Sequence, residues 1–155
     1  MVRSRPPTVV SPVSPPGSLS LQFDGCVADI RGALDSVRSH LAALGLGDER
    51  CGAVEIALAE ALNNIAEHAF AGRPPGPVYL DAEVEGTCLR INLVDLGCPL
   101  PGQTLPTALH HDLDVAPDAL PEGGFGWLLI RELTEEVSYI RSGAENRLTL
   151  VFSLE

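Results

Sequence analysis

Residues 122–154 read EGGFGWLLIRELTEEVSYIRSGAENRLTLVFSL, and this stretch decides the fold class. It opens on Gly123, Gly124 and Gly126, runs into an apolar helical segment, and closes with two alternating segments joined around Gly143. Backbone N–H groups at a helix N-terminus bind phosphate without any cation, so a Gly-rich helix start is a phosphate candidate. A flexible linker before a helix has the same composition, and the stretch alone leaves both readings open.

Outward from there, the pattern repeats in kind. SLSLQFD (18–24) alternates apolar Leu19, Leu21 and Phe23 with polar neighbours and predicts a half-buried strand. Ile30, Leu34, Val37, Leu41 and Leu44 recur at helical spacing over about 26–44, and Gly45 and Gly47 end that helix. Asp48 is a plausible N-cap for a second helix over about 49–70, which GRPPGP (72–77) breaks. VYLDAEVE (78–85) and TCLRINLVD (87–95) alternate on either side of Gly86 and predict a tight hairpin. Residues 96–123 carry Pro, Gly, His and Asp without a period, as a functional or mobile loop does. The sum predicts an α+β two-layer sandwich: a mixed, mostly antiparallel sheet with about three helices on one face. Residues 1–17, rich in Pro and Ser, read as a disordered tail outside a single domain at 18–155.

Composition removes several function classes. The 155 residues carry 10 basic and 21 acidic side chains, a net charge of −11. Such a surface repels phosphate backbones and anionic lipid, which argues against direct nucleic-acid binding. All ten basic residues are Arg. Without Lys there is no P-loop, no strand lysine of the protein-kinase fold and no Schiff base. Cys26, Cys51, Cys88 and Cys98 form no CxxC pair and read as reduced thiols. The start lacks a signal-peptide apolar core, and no apolar run approaches the ~20 residues of a membrane span, so a cytoplasmic protein is expected.

Three places could carry chemistry. In EIALAEALNNIAEHAF (55–70), Glu60 and Asn64 are one turn apart on one helix face. The bland reading is a solvated face. The chemical one is an amide that ligates Mg²⁺ beside a carboxylate that takes a proton. In NLVDLGCPLPG (92–102), Asp95 ends a strand and Gly97 follows; this is either a turn, or a carboxylate for an exocyclic amine beside a backbone that a flat ring can approach. The third is the Gly-rich helix start.

The order of the three is more specific than any one. AEALNNIAEHAF, DLGCPLP and the 122–154 block together resemble the GHKL ATP-binding fold, and within it the anti-sigma factor serine/threonine kinases of bacterial partner-switching systems. The resemblance covers about residues 18–154. It implies ATP and Mg²⁺ as cofactors, Glu60 as the general base that activates a protein serine, and Asn64 as the Mg²⁺ ligand. It implies Asp95 on the adenine amino group, Gly97 beneath the ring, Gly124 and Gly126 beside the phosphates, and Thr149 near the adenine through a water. His68 matches a histidine common at that place, as a functional or a structural group. The segment 98–122 would be an ATP lid. Implied partners are a sigma factor, a STAS-domain anti-anti-sigma factor and a second copy of the chain.

Two features depart from that pattern. Trp127 stands where a small aliphatic is usual, and could stack, pack into the core or crowd the pocket. No Arg lies between Arg90 and Arg131, so the lid lacks a guanidinium and holds His110 and His111 instead. The functional expectations are therefore an ATP-dependent kinase, a nucleotide-responsive module that sequesters a regulator without phosphorylating it, or a nucleotide-free acidic interaction domain.

Overall fold

Alternation of period two along the chain predicts strands with one apolar side, and the sheet follows it. In the computed structural model, residues 8–9, 17–106 and 124–155 are described. The strands are β1 (Thr8–Val9), β2 (Ser18–Asp24), β3 (Pro77–Glu85), β4 (Cys88–Asp95), β5 (Glu136–Ser142) and β6 (Glu145–Ser153). They form one sheet in the order β1-β2-β3-β4-β6-β5, and every neighbouring pair is antiparallel. Among the described residues the sheet therefore contains five long strands and one short edge strand. The edge strand is a departure from the expected tail: Thr8 and Val9 pair with Gln22 and Leu21. An exposed edge offers unpaired N–H and C=O groups, and any extended segment that reaches it can use them.

Helices α1 (Val27–Ala43), α2 (Asp48–Asn64) and α3 (Gly124–Leu133) complete the layer architecture. Their apolar stripes close over the inward residues of the sheet. Ile30, Val37 and Leu41 of α1, Leu58 and Leu62 of α2, and Ile130 of α3 join Leu80, Ile91, Leu93 and Leu150 in one core. Each such fully buried side chain contributes about 1.5–3 kcal/mol relative to exposure. The opposite side of the sheet carries exposed Gln22, Asp81, Glu83, Arg90 and Arg147, as an antiparallel sheet with one wet face does.

The second helix does not run uniformly to residue 70. It is α-helical to Asn64 and then widens into one π turn, Ile65–Ala69, with Phe70 N–H donating to Ile65 O at 3.3 Å. Single π turns inside helices often occur at functional sites. Here the turn ends on Phe70, whose ring lies against Gly25 and Gly76 and so pins the helix end to two chain reversals.

Trp127 resolves into one of its three expected placements. It is 7% exposed and belongs to the hydrophobic core. It is also the sole tryptophan of the chain. Its fluorescence is therefore expected to be blue-shifted in the native protein and to move to the red in one cooperative urea transition. Trp127→Ala, followed by far-UV circular dichroism, is expected to cost about 3–5 kcal/mol through the cavity it leaves.

Candidate functional site

Helical spacing sets the first half of the site. Glu60 and Asn64 lie one turn apart on α2, both half-buried, and α3 crosses beside them. A Cβ built on Gly126 would sit 2.8 Å from Glu60 Oε2 and 3.9 Å from Asn64 Nδ2. Any larger residue would thus occupy the space between the start of α3 and these two side chains. Asn64 Nδ2 is buried and has no hydrogen-bond partner among the described residues. Leaving such a group unmatched costs about 1–3 kcal/mol. A half-turn of the amide exchanges Nδ2 with Oδ1, so either a donor or an acceptor can be turned into that space.

Strand alternation sets the second half. Leu89, Ile91, Leu93 and Asp95 of β4 all face the helices. Asp95 is thereby a carboxylate in a core position, 3% exposed. Its Oδ1 accepts from Gly97 N–H at 2.8 Å and from Asn146 Nδ2 at 2.9 Å. Burial pushes the carboxyl above the ordinary carboxylate range. The hydrogen bonds from Asn146 and Gly97 and the charge of Arg141 pull against that shift. The chain after Asp95 is held by the π turn: Cys98 N–H donates to Ala69 O at 2.8 Å. Gly97 is required there, since an added Cβ would lie 2.7 Å from the carbonyl carbon of Ala69.

The two halves share α2 and its π turn. Asn64 immediately precedes the π turn whose last residue, Ala69, lies against Gly97 and holds Cys98, so the helix end that carries Glu60 and Asn64 leads directly to the contact with the segment after Asp95. Gly124 is the first residue of α3. Glu67 and His68 project from the π turn into solvent, 4.0 Å from each other. Gly123, His110, His111 and the expected lid beyond Pro106 lie outside the described residues. Among the described residues no cluster of His, Cys, Asp and Glu fits a metal by itself, and all four cysteines are free thiols. No described helix is long and apolar enough to cross a membrane.

Thr149 does not join the site. Strand β6 buries Asn146, Leu148, Leu150 and Phe152, so Thr149 has the opposite phase and points away from the helices. It pairs with Asn92, not Asp95, and its Oγ1 bonds Asn92 Oδ1 at 2.7 Å. The residue across from Asp95 is Asn146. It stands on the apolar phase of NRLTLVF, and a polar residue at that phase was the sequence signal for it. Tyr139 and Arg141, which bond Asn146 Oδ1 at 2.5 and 3.1 Å, carried no such signal.

Asp95 also ties stability to pH. Its folded pKa is raised above the unfolded value, so the folded state holds more protons between the two. Stability therefore falls as pH rises through that window, which opens near the ordinary value of about 3.9. Urea midpoints taken across the acidic range are expected to show this decline in the parent protein and a flatter profile in Asp95→Asn.

Residues 25–152 match the histidine kinase-like ATPase domain family. Over 92 residues the chain is 37% identical to the serine/threonine-protein kinase BtrW of Bordetella bronchiseptica. That match takes in 59% of this chain and 62% of the relative, so the chain spans less than two thirds of the relative's length. Two solved structures share the fold. The RsbU and RsbW domains of a Mycobacterium tuberculosis protein give a TM-score of 0.63 at 17% identity, over 88% of this chain and 31% of that one. The SiaB–SiaC complex from Pseudomonas aeruginosa gives 0.59 at 18% identity, over 85% of this chain and 88% of that one. The family match spans both halves of the site, from the start of α1 to the end of β6, and the chain belongs to the histidine kinase-like ATPase domain family.

Proposed function

We propose that this chain is an anti-sigma regulatory factor that binds ATP and transfers its γ-phosphoryl group to a serine of a STAS-type anti-anti-sigma partner. The observation that carries the reading is the convergence of Glu60, Asn64 and Gly126, with the buried Asn64 amide unmatched by protein. The same chemistry appears in the name of the Bordetella relative, a serine/threonine kinase, and one fold neighbour was solved with a second protein bound. A sigma factor as the sequestered partner, and a second copy of the chain, belong to the same proposal.

The donor set fits a magnesium nucleotide. An amide oxygen beside a carboxylate suits a hard cation that keeps most of its waters. In this reading Asn64 holds Mg²⁺, which would supply charge neutralisation on the phosphates. Asp95 accepts from the adenine amino group, and Gly97 lets the ring lie against the backbone. The peptide N–H groups around Gly124 and Gly126, at the start of α3, take the anionic end. Glu60 takes the proton from the attacking serine hydroxyl as the new O–P bond forms. Phosphoryl transfer asks mainly for positioning and charge stabilisation, so a pocket without lysine is sufficient.

A second reading rests on the absence of Arg and Lys between Arg90 and Arg131. There the chain is a nucleotide-responsive module that sequesters a regulator without phosphorylating it. Incubation with labelled ATP and a purified STAS-domain partner separates the two. Under the kinase reading, Glu60→Gln is expected to slow transfer by about 10²–10⁴-fold while ATP binding stays within a few-fold. Asn64→Ala is expected to abolish the Mg²⁺ dependence of binding. Nucleotide-dependent partner capture without label transfer would establish the module instead.

A further inference from the structure

Asn146 is a primary amide whose every hydrogen-bonding position is taken. Its Nδ2 donates to Asp95 Oδ1 at 2.9 Å and to Cys98 O at 2.9 Å, with Gly97 O at 3.3 Å. Its Oδ1 accepts from Tyr139 Oη at 2.5 Å and from Arg141 Nη1 at 3.1 Å. The direction of these bonds is not arbitrary. Arg141 can only donate, and its Nη1 also donates to Gly97 O at 2.8 Å. Tyr139 Oη accepts from Leu100 N–H at 3.0 Å, so its own hydrogen is left for Asn146. A half-turn of the amide would set its oxygen against a carboxylate and two carbonyls, and its NH₂ against a guanidinium. Only one orientation is satisfied.

That orientation has a consequence at Asp95. Two N–H groups point at Oδ1, which must therefore act as an acceptor. The hydrogen bonds among the described residues leave Oδ2 for a ligand. Burial, the largest influence on Asp95, raises its pKa, and the Asn146 and Gly97 donors and the Arg141 charge oppose that rise, so removing the Asn146 donor leaves the carboxyl less able to stay ionised. An ionised Oδ2 welcomes an N–H and rejects a carbonyl.

We propose that Asn146, held in one orientation by Tyr139 and Arg141, is the positioning residue that fixes Asp95 as an acceptor and so selects a purine with an amino group at C6 over one with a carbonyl there. The proposal rests on the nucleotide reading above and adds the source of base specificity to it. The physical basis is asymmetric. A site built around a buried acceptor leaves that acceptor unmatched when the ligand lacks the donor. The selectivity then depends on the acceptor's being locked, and the lock is outside the pocket, on the β5–β6 hairpin.

The test is equilibrium titration of the full chain with ATP and with inosine triphosphate, which carries oxygen in place of the C6 amine, both with Mg²⁺. The parent is expected to prefer ATP by about tenfold or more, as one charge-assisted hydrogen bond would give. Asn146→Leu is expected to bring the ratio to within about threefold, chiefly by weakening ATP. Tyr139→Phe keeps the Arg141 contact and is expected to fall between the two. In the transfer assay both variants are expected to raise KM for ATP while leaving kcat nearly unchanged. Trp127 emission reports whether each variant is folded. If Asn146→Leu does not fold, Tyr139→Phe decides: a ratio unchanged from the parent overturns the proposal. Preference for ATP with unchanged ratios in both variants overturns it and leaves the nucleotide reading standing. A parent that binds neither nucleotide overturns both.

Discussion

A carboxylate sealed beneath a helical layer must be matched by donors, and the architecture around Asp95 is organised by that requirement. Removing a charge from water is expensive unless hydrogen bonds replace the lost solvent. Antiparallel pairing of β4 with β6 supplies the first replacement by setting Asn146 opposite Asp95. The tight path of the chain through Gly97 supplies the second. Pairing of β5 with β6 brings Arg141 opposite Asn146, and Tyr139 Oη reaches the same amide. The edge hairpin is thus a polar brace for one buried acid as well as a cover for the core.

The helical layer answers the same problem from the other side. The π turn at Ile65–Ala69 ends the regular ladder and frees the Ala69 carbonyl to receive Cys98 N–H. That contact anchors the segment after Asp95 to α2, the helix that carries Glu60 and Asn64.

Much of this was legible in residue patterns. Period-two alternation marked strands, helical spacing marked the first helix, a cap and a Pro-Gly break bounded the second, a Gly-rich start opened the third, and the order of E-x-x-x-N, D-x-G and GGxG pointed to the family. Even Thr149 could have been placed by counting, since Leu148 and Leu150 claim the buried phase on either side of it. Asn146, a polar residue on an apolar phase, is a mark that the sequence carries, but its partner is not. Asp95 lies 51 residues earlier in the chain, and local pattern carries no register between strands so far apart.

The amino-acid sequence by itself determined the layers, the sides of each strand and helix, and the exclusion of lysine-dependent chemistry, because these follow from local periodicity and composition. The tertiary structure alone decided that Trp127 packs into the core, that the end of α2 widens into a π turn against Gly97, and that Tyr139 and Arg141 orient the amide facing Asp95. Those outcomes depend on which surfaces meet across the sheet and on which donors remain when a buried acid must be satisfied. Both are settled only when distant segments pack.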